Sequence, residues 1–182
     1  TPIPQVTEYD EWAALTTGAW CYYNNDETKP RLYNWYAVMG IHDAEQTTPN
    51  KEFAPEGWHV PTDGEWITLG NYLIDSGYNY DNSAEGNKIA KAMASTTGWN
   101  SSTELGAVGN DQSLNNDSGF NAFPEGSRDF NGSFCCNSAF FWNSTEYNTN
   151  GAWARGLTNY YSILYGTSDN KRIGISVRFV RD

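Results

Sequence analysis

The stretch 141–182 constrains this chain more than any other. Near its end, Ile173, Ile175, Val177 and Phe179 alternate with Gly174, Ser176 and Arg178. A period of two sends successive side chains to opposite faces, so the pattern predicts a half-buried strand. Upstream, Trp142 and Trp153 are large apolar anchors. Between anchors and strand the character changes. From 143 to 170, 19 of 28 residues are Asn, Ser, Thr, Tyr or Gly, and only Glu146, Arg155 and Asp169 are charged. Tyrosine offers rigid amphipathic area, and Ser, Gly and Asn offer adaptable hydrogen bonding. The expectation is a binding surface carried on a fixed frame.

The rest of the chain can supply that frame. Its 182 residues suit one domain. Its 8 Trp, 12 Tyr and 8 Phe exclude a disordered chain and suit irregular loops pinned by buried rings. A net charge of −11 argues against nucleic acid as a partner, because phosphate binding needs a basic face. The charge is uneven: residues 153–182 hold five Lys or Arg against two Asp, so that end is +3 and the remainder −14. Such an end would steer an acidic partner, but arginines on the wet face of a strand are the plainer account.

Cys21, Cys135 and Cys136 make an odd count with one adjacent pair, which is not a disulfide framework. Adjacent cysteines do not easily form an unstrained bridge, so structural or incidental thiols are expected. That fits a reducing compartment, or assembly inside a cell before release. No apolar run approaches a membrane span, and no signal peptide is visible at Thr1.

Along the chain, residues 8–15 predict a short helix with Trp12 and Leu15 inward. Residues 19–23 predict a strand, followed by a turn at Asn24, Asn25 and Asp26. Residues 32–38, apolar on both faces, predict a buried second strand. Thr62 with Glu65 three residues on forms a capping box, the strongest helix start in the chain. That helix should carry Trp66, Leu69, Tyr72 and Leu73 on one face and end near Gly77. A second helix is expected within 83–93, with Ile89, Ala92 and Met93 inward. Residues 100–118 read as a long polar loop, a length that is usually functional or mobile. The pattern is α+β: two early helices, short antiparallel strands and long irregular loops.

Catalytic and metal signatures are sparse. His42 and His59 are the only histidines, and His59, just before the capped helix, is expected to bond backbone. No paired-histidine or Cys-x-x-Cys zinc spacing occurs, and no nucleophile-elbow, Walker or dinucleotide glycine pattern.

Six motifs then stand in order: TTGAWCYYNND, LYNWYAV, GWHVPTDGEW, GFNAFPEGSR, FWNSTEYN and SVRFVRD. Together they resemble the paralogous major domain family first noticed in Fibrobacter, and the variable proteins of diversity-generating retroelements. The resemblance covers about 16–182. It implies a C-type lectin-like fold of the branch related to formylglycine-generating enzymes, as one domain over 1–182 with a variable region about 143–173. In those retroelement proteins, adenine-directed mutagenesis rewrites codons between the FW and SVR motifs. Carried onto this chain, the resemblance implies that Ala154, Gly156, Thr158, Tyr160, Tyr161, Ile163, Tyr165, Thr167, Ser168, Asp169 and Ile173 are the ligand-binding, substitutable positions. Trp153, Arg155, Leu157, Lys171, Gly174 and Val177 would be frame. The alternation across 153–158 suits an extended segment with one exposed side.

The expected function is therefore non-enzymatic recognition of a protein or glycan on another cell or particle, from a virion tail or surface or from a cell surface, with display in several copies adding avidity. A fixed-specificity lectin-like adhesin is the alternative. A formylglycine-generating-type enzyme ranks last, because Cys135 and Cys136 do not match that family's reactive cysteine spacing. No cofactor is expected. Many C-type lectins hold calcium through Glu-Pro-Asn and Trp-Asn-Asp motifs, both missing here. Residues 110–117 are rich in hard oxygen ligands that would suit calcium, with a solvated acidic loop preferred. On this view Gly156, Thr158, Tyr161, Tyr165 and Asp169 share one exposed face, while Trp142, Trp153 and Val177 are buried.

Overall fold

A computed structural model of the chain describes residues 2–44 and 50–182. Few helices and several small antiparallel sheets make up a mixed α and β architecture. Helix α1 (Tyr9–Ala13) buries Trp12, whose indole donates to the Arg172 carbonyl at 2.8 Å. Strand β1 (Trp20–Tyr22) pairs antiparallel with β2 (Arg31–Tyr33). Between them Asn24 and Asn25 take left-handed backbone, which Asn tolerates better than most residues.

The expected strand over 32–38 is broken at Asn34. Its buried side chain accepts from the Ala37 amide at 2.9 Å and caps a one-turn helix, α2 (Trp35–Val38). The same side chain accepts from the Ala19 amide and donates to the Thr17 carbonyl. Local capping thus wins over β-propensity. Strand β3 (Trp58–His59) leads into helix α3 (Asp63–Asp75), where both halves of the Thr62–Glu65 capping box form. Trp66 and Leu73 are buried and Leu69 half-buried, but Tyr72 is exposed. It lies six residues after Trp66, off the stripe spaced by three and four. Helix α3 ends before Gly77, which takes positive φ.

The second expected helix shrinks to one turn, α4 (Ala90–Met93). Asn79 diverts the chain before it: its amide donates to the Ser83 and Gly86 carbonyls, and its oxygen accepts from the Lys88 N–H. Ile89, Ala92 and Met93 are buried as expected. Residues 100–118 are irregular apart from a short 3-10 turn at Gln112–Leu114.

Strands β4 (Ser127–Arg128) and β5 (Phe134–Cys135) form a small hairpin. The largest sheet follows: β6 (Ser138–Glu146), β7 (Gly151–Thr158) and β8 (Tyr165–Asn170), with β7 in the middle. One core, with Trp66, Leu73, Ile89, Met93, Phe141 and Leu157, lies on the α3 side of this sheet. A second, with Trp35, Val38, Trp142, Ala152, Ala154 and Ile175, fills the opposite side. Both faces of β6 and β7 are therefore covered.

The alternating segment 173–179 is not one continuous strand. Gly174 bridges Arg128, Ile175 bridges Tyr33, and Ser176 bridges Phe141, before β9 (Val180–Arg181) pairs with β3. The segment runs between three sheets and belongs wholly to none. Burial does not follow the alternation: Gly174 and Ile175 are buried, Ile173, Ser176 and Val177 half-buried, and Arg178 and Phe179 exposed. Val177 is thus less buried than expected, and so is Trp153, whose ring sits 5.1 Å from Tyr147.

Two further expectations are corrected. The Cys135 and Cys136 sulfurs are joined as a disulfide, not held as separate thiols. Cys136 takes left-handed backbone just after β5. His59 bonds carboxylates rather than backbone: Nδ1 meets Asp182 and Nε2 meets Glu65, each at 2.7 Å. The two carboxylates raise its pKa, the Asp182 hydrogen bond contributing most.

Candidate functional site

Pairing register decides where the expected binding residues go. Across β7 and β8, Ala152 faces Asp169, Ala154 faces Thr167, and Gly156 faces Tyr165. Paired residues of antiparallel strands project to the same side of a sheet. Ala154, Gly156, Thr158, Tyr165, Thr167 and Asp169 thus share one face, as expected. They do not share exposure. Ala154, Gly156 and Thr158 are buried, because central β7 is covered on both faces. The Thr158 hydroxyl has no partner among the described residues. Ile173 packs half-buried against the Trp35 and Trp142 core. Gly156 and Thr158 are therefore less exposed than expected, and Ala154 and Ile173 are covered as well.

The remaining seven lie on β8 and the loop 159–164. Tyr160 and Tyr161 are about half exposed and Ile163 is 38% exposed. Ser168 is exposed on the other side of β8, and Tyr165, Thr167 and Asp169 are partly exposed. The rings form a chain of edge contacts: Tyr160 to Tyr161 at 4.5 Å, Tyr161 to Tyr165 at 6.4 Å, and Tyr165 to Phe140 at 6.2 Å. Tyr165 lies across Gly156, where a Cβ would come within 2.5 Å of the ring carbon bearing the hydroxyl. Burial, helped by Tyr160, Asp169 and Tyr161, pushes the Tyr165 phenol up to about 12. Burial also raises the Asp169 pKa, against the Thr167 hydrogen bond and with help from Asp129.

The backbone beneath these side chains is tied down. The Asn87 side chain donates to the Leu164 carbonyl at 2.6 Å and accepts from the Leu164 amide at 3.1 Å. The Ala90 amide donates to the Ser162 carbonyl, Val108 to Tyr161, and Gly109 to Asn159. Leu164 is buried as a single anchor. Gly109 is required for this approach, since a Cβ there would collide with the Asn100 and Asn159 carbonyls. Sequence reasoning missed Asn87, Phe140 and Gly109. Only Gly109 carried a signal, as a glycine in a long loop.

The expected frame residues hold the sheet from behind. Arg155 pairs with Asp63 at 2.6 Å, and Asn143 donates to the same carboxylate, fixing β6 and β7 to the start of α3. Leu157 and Gly174 are buried. The Lys171 ammonium, also buried, pairs with Glu146 and donates to the Thr149 carbonyl.

Residues 110–117 show where their loop's inward carbonyls are directed. The buried Lys91 ammonium donates to the carbonyls of Ala107, Asn110 and Asp111. Among the described residues no three His, Cys, Asp or Glu side chains converge to hold a metal ion.

The model of the Fibrobacter succinogenes major domain matches residues 1–181. The chain belongs to this family. No curated protein and no solved structure matches it. Within this Fibrobacter-type domain, among the described residues, no helix is long and apolar enough to cross a membrane.

Proposed function

We propose that this major domain is a non-enzymatic ligand-binding protein. Its contact surface consists of Tyr160, Tyr161, Ile163, Tyr165, Thr167, Ser168 and Asp169, and its target is a protein or glycan on another cell or particle. One observation carries the proposal: exposed aromatic and aliphatic side chains stand on a loop whose main chain is bonded from two other segments, 87–90 and 108–109. Such a loop keeps its shape whatever side chains it bears, and rigid aromatics are effective contact residues. The same separation suits diversification by a retroelement. The six ordered motifs also fit a C-type lectin-like fold, with display on a virion or cell surface in several copies. In this proposal variation is confined to 160–169, and Ala154, Gly156, Thr158 and Ile173 stay fixed.

The test is a glycan and protein array screened with the purified domain and with a triple variant, Tyr160→Ser, Tyr161→Ala and Ile163→Asn. Expected is loss of every hit, with a melting temperature nearly unchanged, since exposed sites usually matter by less than about 0.5 kcal/mol each. Hits that survive the triple variant overturn the assigned surface. The diversified and fixed-specificity forms differ at the gene. A near-copy of the 3′ coding end, differing mainly at adenines beside a reverse transcriptase gene, marks the first. Burial of Ala154, Gly156 and Thr158 favours fixed identity at those three positions.

A further inference from the structure

Two hollows open beside residues 178–179 and share Arg178 and Phe179. The larger, about 590 Å³, runs between α3 and the C-terminal segment. Trp66, Leu69, Tyr72, Phe120, Phe179 and Val180 give it walls that are mainly carbon. Two charged side chains also line it, Glu65 and Arg178.

Glu65 is already engaged. One oxygen accepts from the Thr62 amide and hydroxyl, both at 2.8 Å, and the other meets His59. Arg178 is not engaged in this way. Among the described residues it pairs with no carboxylate. Its guanidinium lies 5.2 Å from the Phe120 ring and 5.7 Å from Phe141, with only long contacts to the Phe120 and Asn121 carbonyls at 3.5 and 3.3 Å. Desolvation by these neighbours lowers its pKa.

A guanidinium set over rings beside an apolar hollow, without a counter-ion, has donors left over for an anion. Concave, mainly apolar hollows with one or two polar groups are the usual form of small-molecule sites. We propose that this groove binds a small amphiphilic carboxylate, with its hydrocarbon body against Trp66, Leu69 and Phe179 and its carboxylate on Arg178. The groove shares no residue with the Tyr160–Asp169 surface, so the two sites fail or stand separately.

Calorimetric titration with octanoate, octan-1-ol and octylamine tests this. Octanoate should bind one to one, and the alcohol and the amine at least about tenfold more weakly, as expected for loss of a charge-assisted hydrogen bond. Arg178→Met should weaken octanoate about tenfold and leave octan-1-ol unchanged. Thr68→Trp, an exposed groove position on α3, should block octanoate and octan-1-ol alike. The first comparison uses the unaltered protein, so the outcome does not depend on Arg178→Met folding. Equal affinity for all three probes overturns the proposal, as does no binding of octanoate at millimolar concentration. Heats of dilution that depend on protein concentration would place a second copy in the groove, and this also overturns it.

Discussion

At the scale of single residues, Gly156 and Tyr165 are one unit. The tyrosine ring occupies the space that any side chain at 156 would need. Gly156→Ala should therefore cost about 1–3 kcal/mol by overpacking, and Tyr165→Ser in the same chain should restore most of it. Thermal melting of both singles and the double would show this coupling, and additive losses would contradict it. Asp169 shows a different economy. Its carboxyl is largely buried, near Tyr165 and Asp129, and burial holds its folded pKa above the usual 3.8. A raised carboxyl pKa favours the protonated fold, so this stabilising contribution is complete below the unfolded value and is lost as pH rises through the folded one. Asp169→Asn should then raise the melting temperature at pH 7, with the gain vanishing below about pH 4. If the ligand presents a cation to this carboxylate, the same substitution weakens binding while it stabilises the protein.

At the scale of elements, the start of α3 does more than begin a helix. Glu65 closes the capping box and also holds His59, which reaches Asp182 beyond β9. The β3–β9 pair is thereby fastened through one imidazolium between two carboxylates. Since the folded pKa of His59 is raised above 6.5, the fastening is complete below that value and is lost as pH rises through the folded pKa. Melting curves of wild type and His59→Gln should diverge at pH 5.5 and converge toward pH 9. A constant gap between them would show that the imidazole acts only by packing. The C-terminal segment teaches a related lesson about elements. Its period-two pattern predicted one half-buried strand, but pattern alone cannot tell such a strand from a series of single bridges to different sheets, and burial here follows the bridges.

At the scale of the molecule, the frame was more legible than the surface. The capping box, the Trp12, Trp66 and Trp142 anchors and the buried face of 89–93 follow from local chemistry, and local chemistry is what a sequence displays. Asn34 was opaque because its side chain, besides capping α2, bonds backbone at Thr17 and Ala19, and Asn79 because it bonds backbone four to nine residues on in a loop with no regular period. The candidate surface was legible in composition but not in exposure. Alternation placed Ala154, Gly156 and Thr158 on the right face, yet nothing local announces that β7 is the middle strand with a core on either side. Pairing order is a property of the whole chain.

The bridges made by residues 171–182 bear on how fast the protein folds. Carbonyls of this segment receive the Trp35 amide, the Trp12 indole, the Arg128 amide and the Trp142 amide. Four regions far apart in sequence thus depend on one segment, and contacts of such long sequence separation form slowly. Until these bridges form, the core around Trp35 and Trp142 lacks Ile175 and stays open on one side.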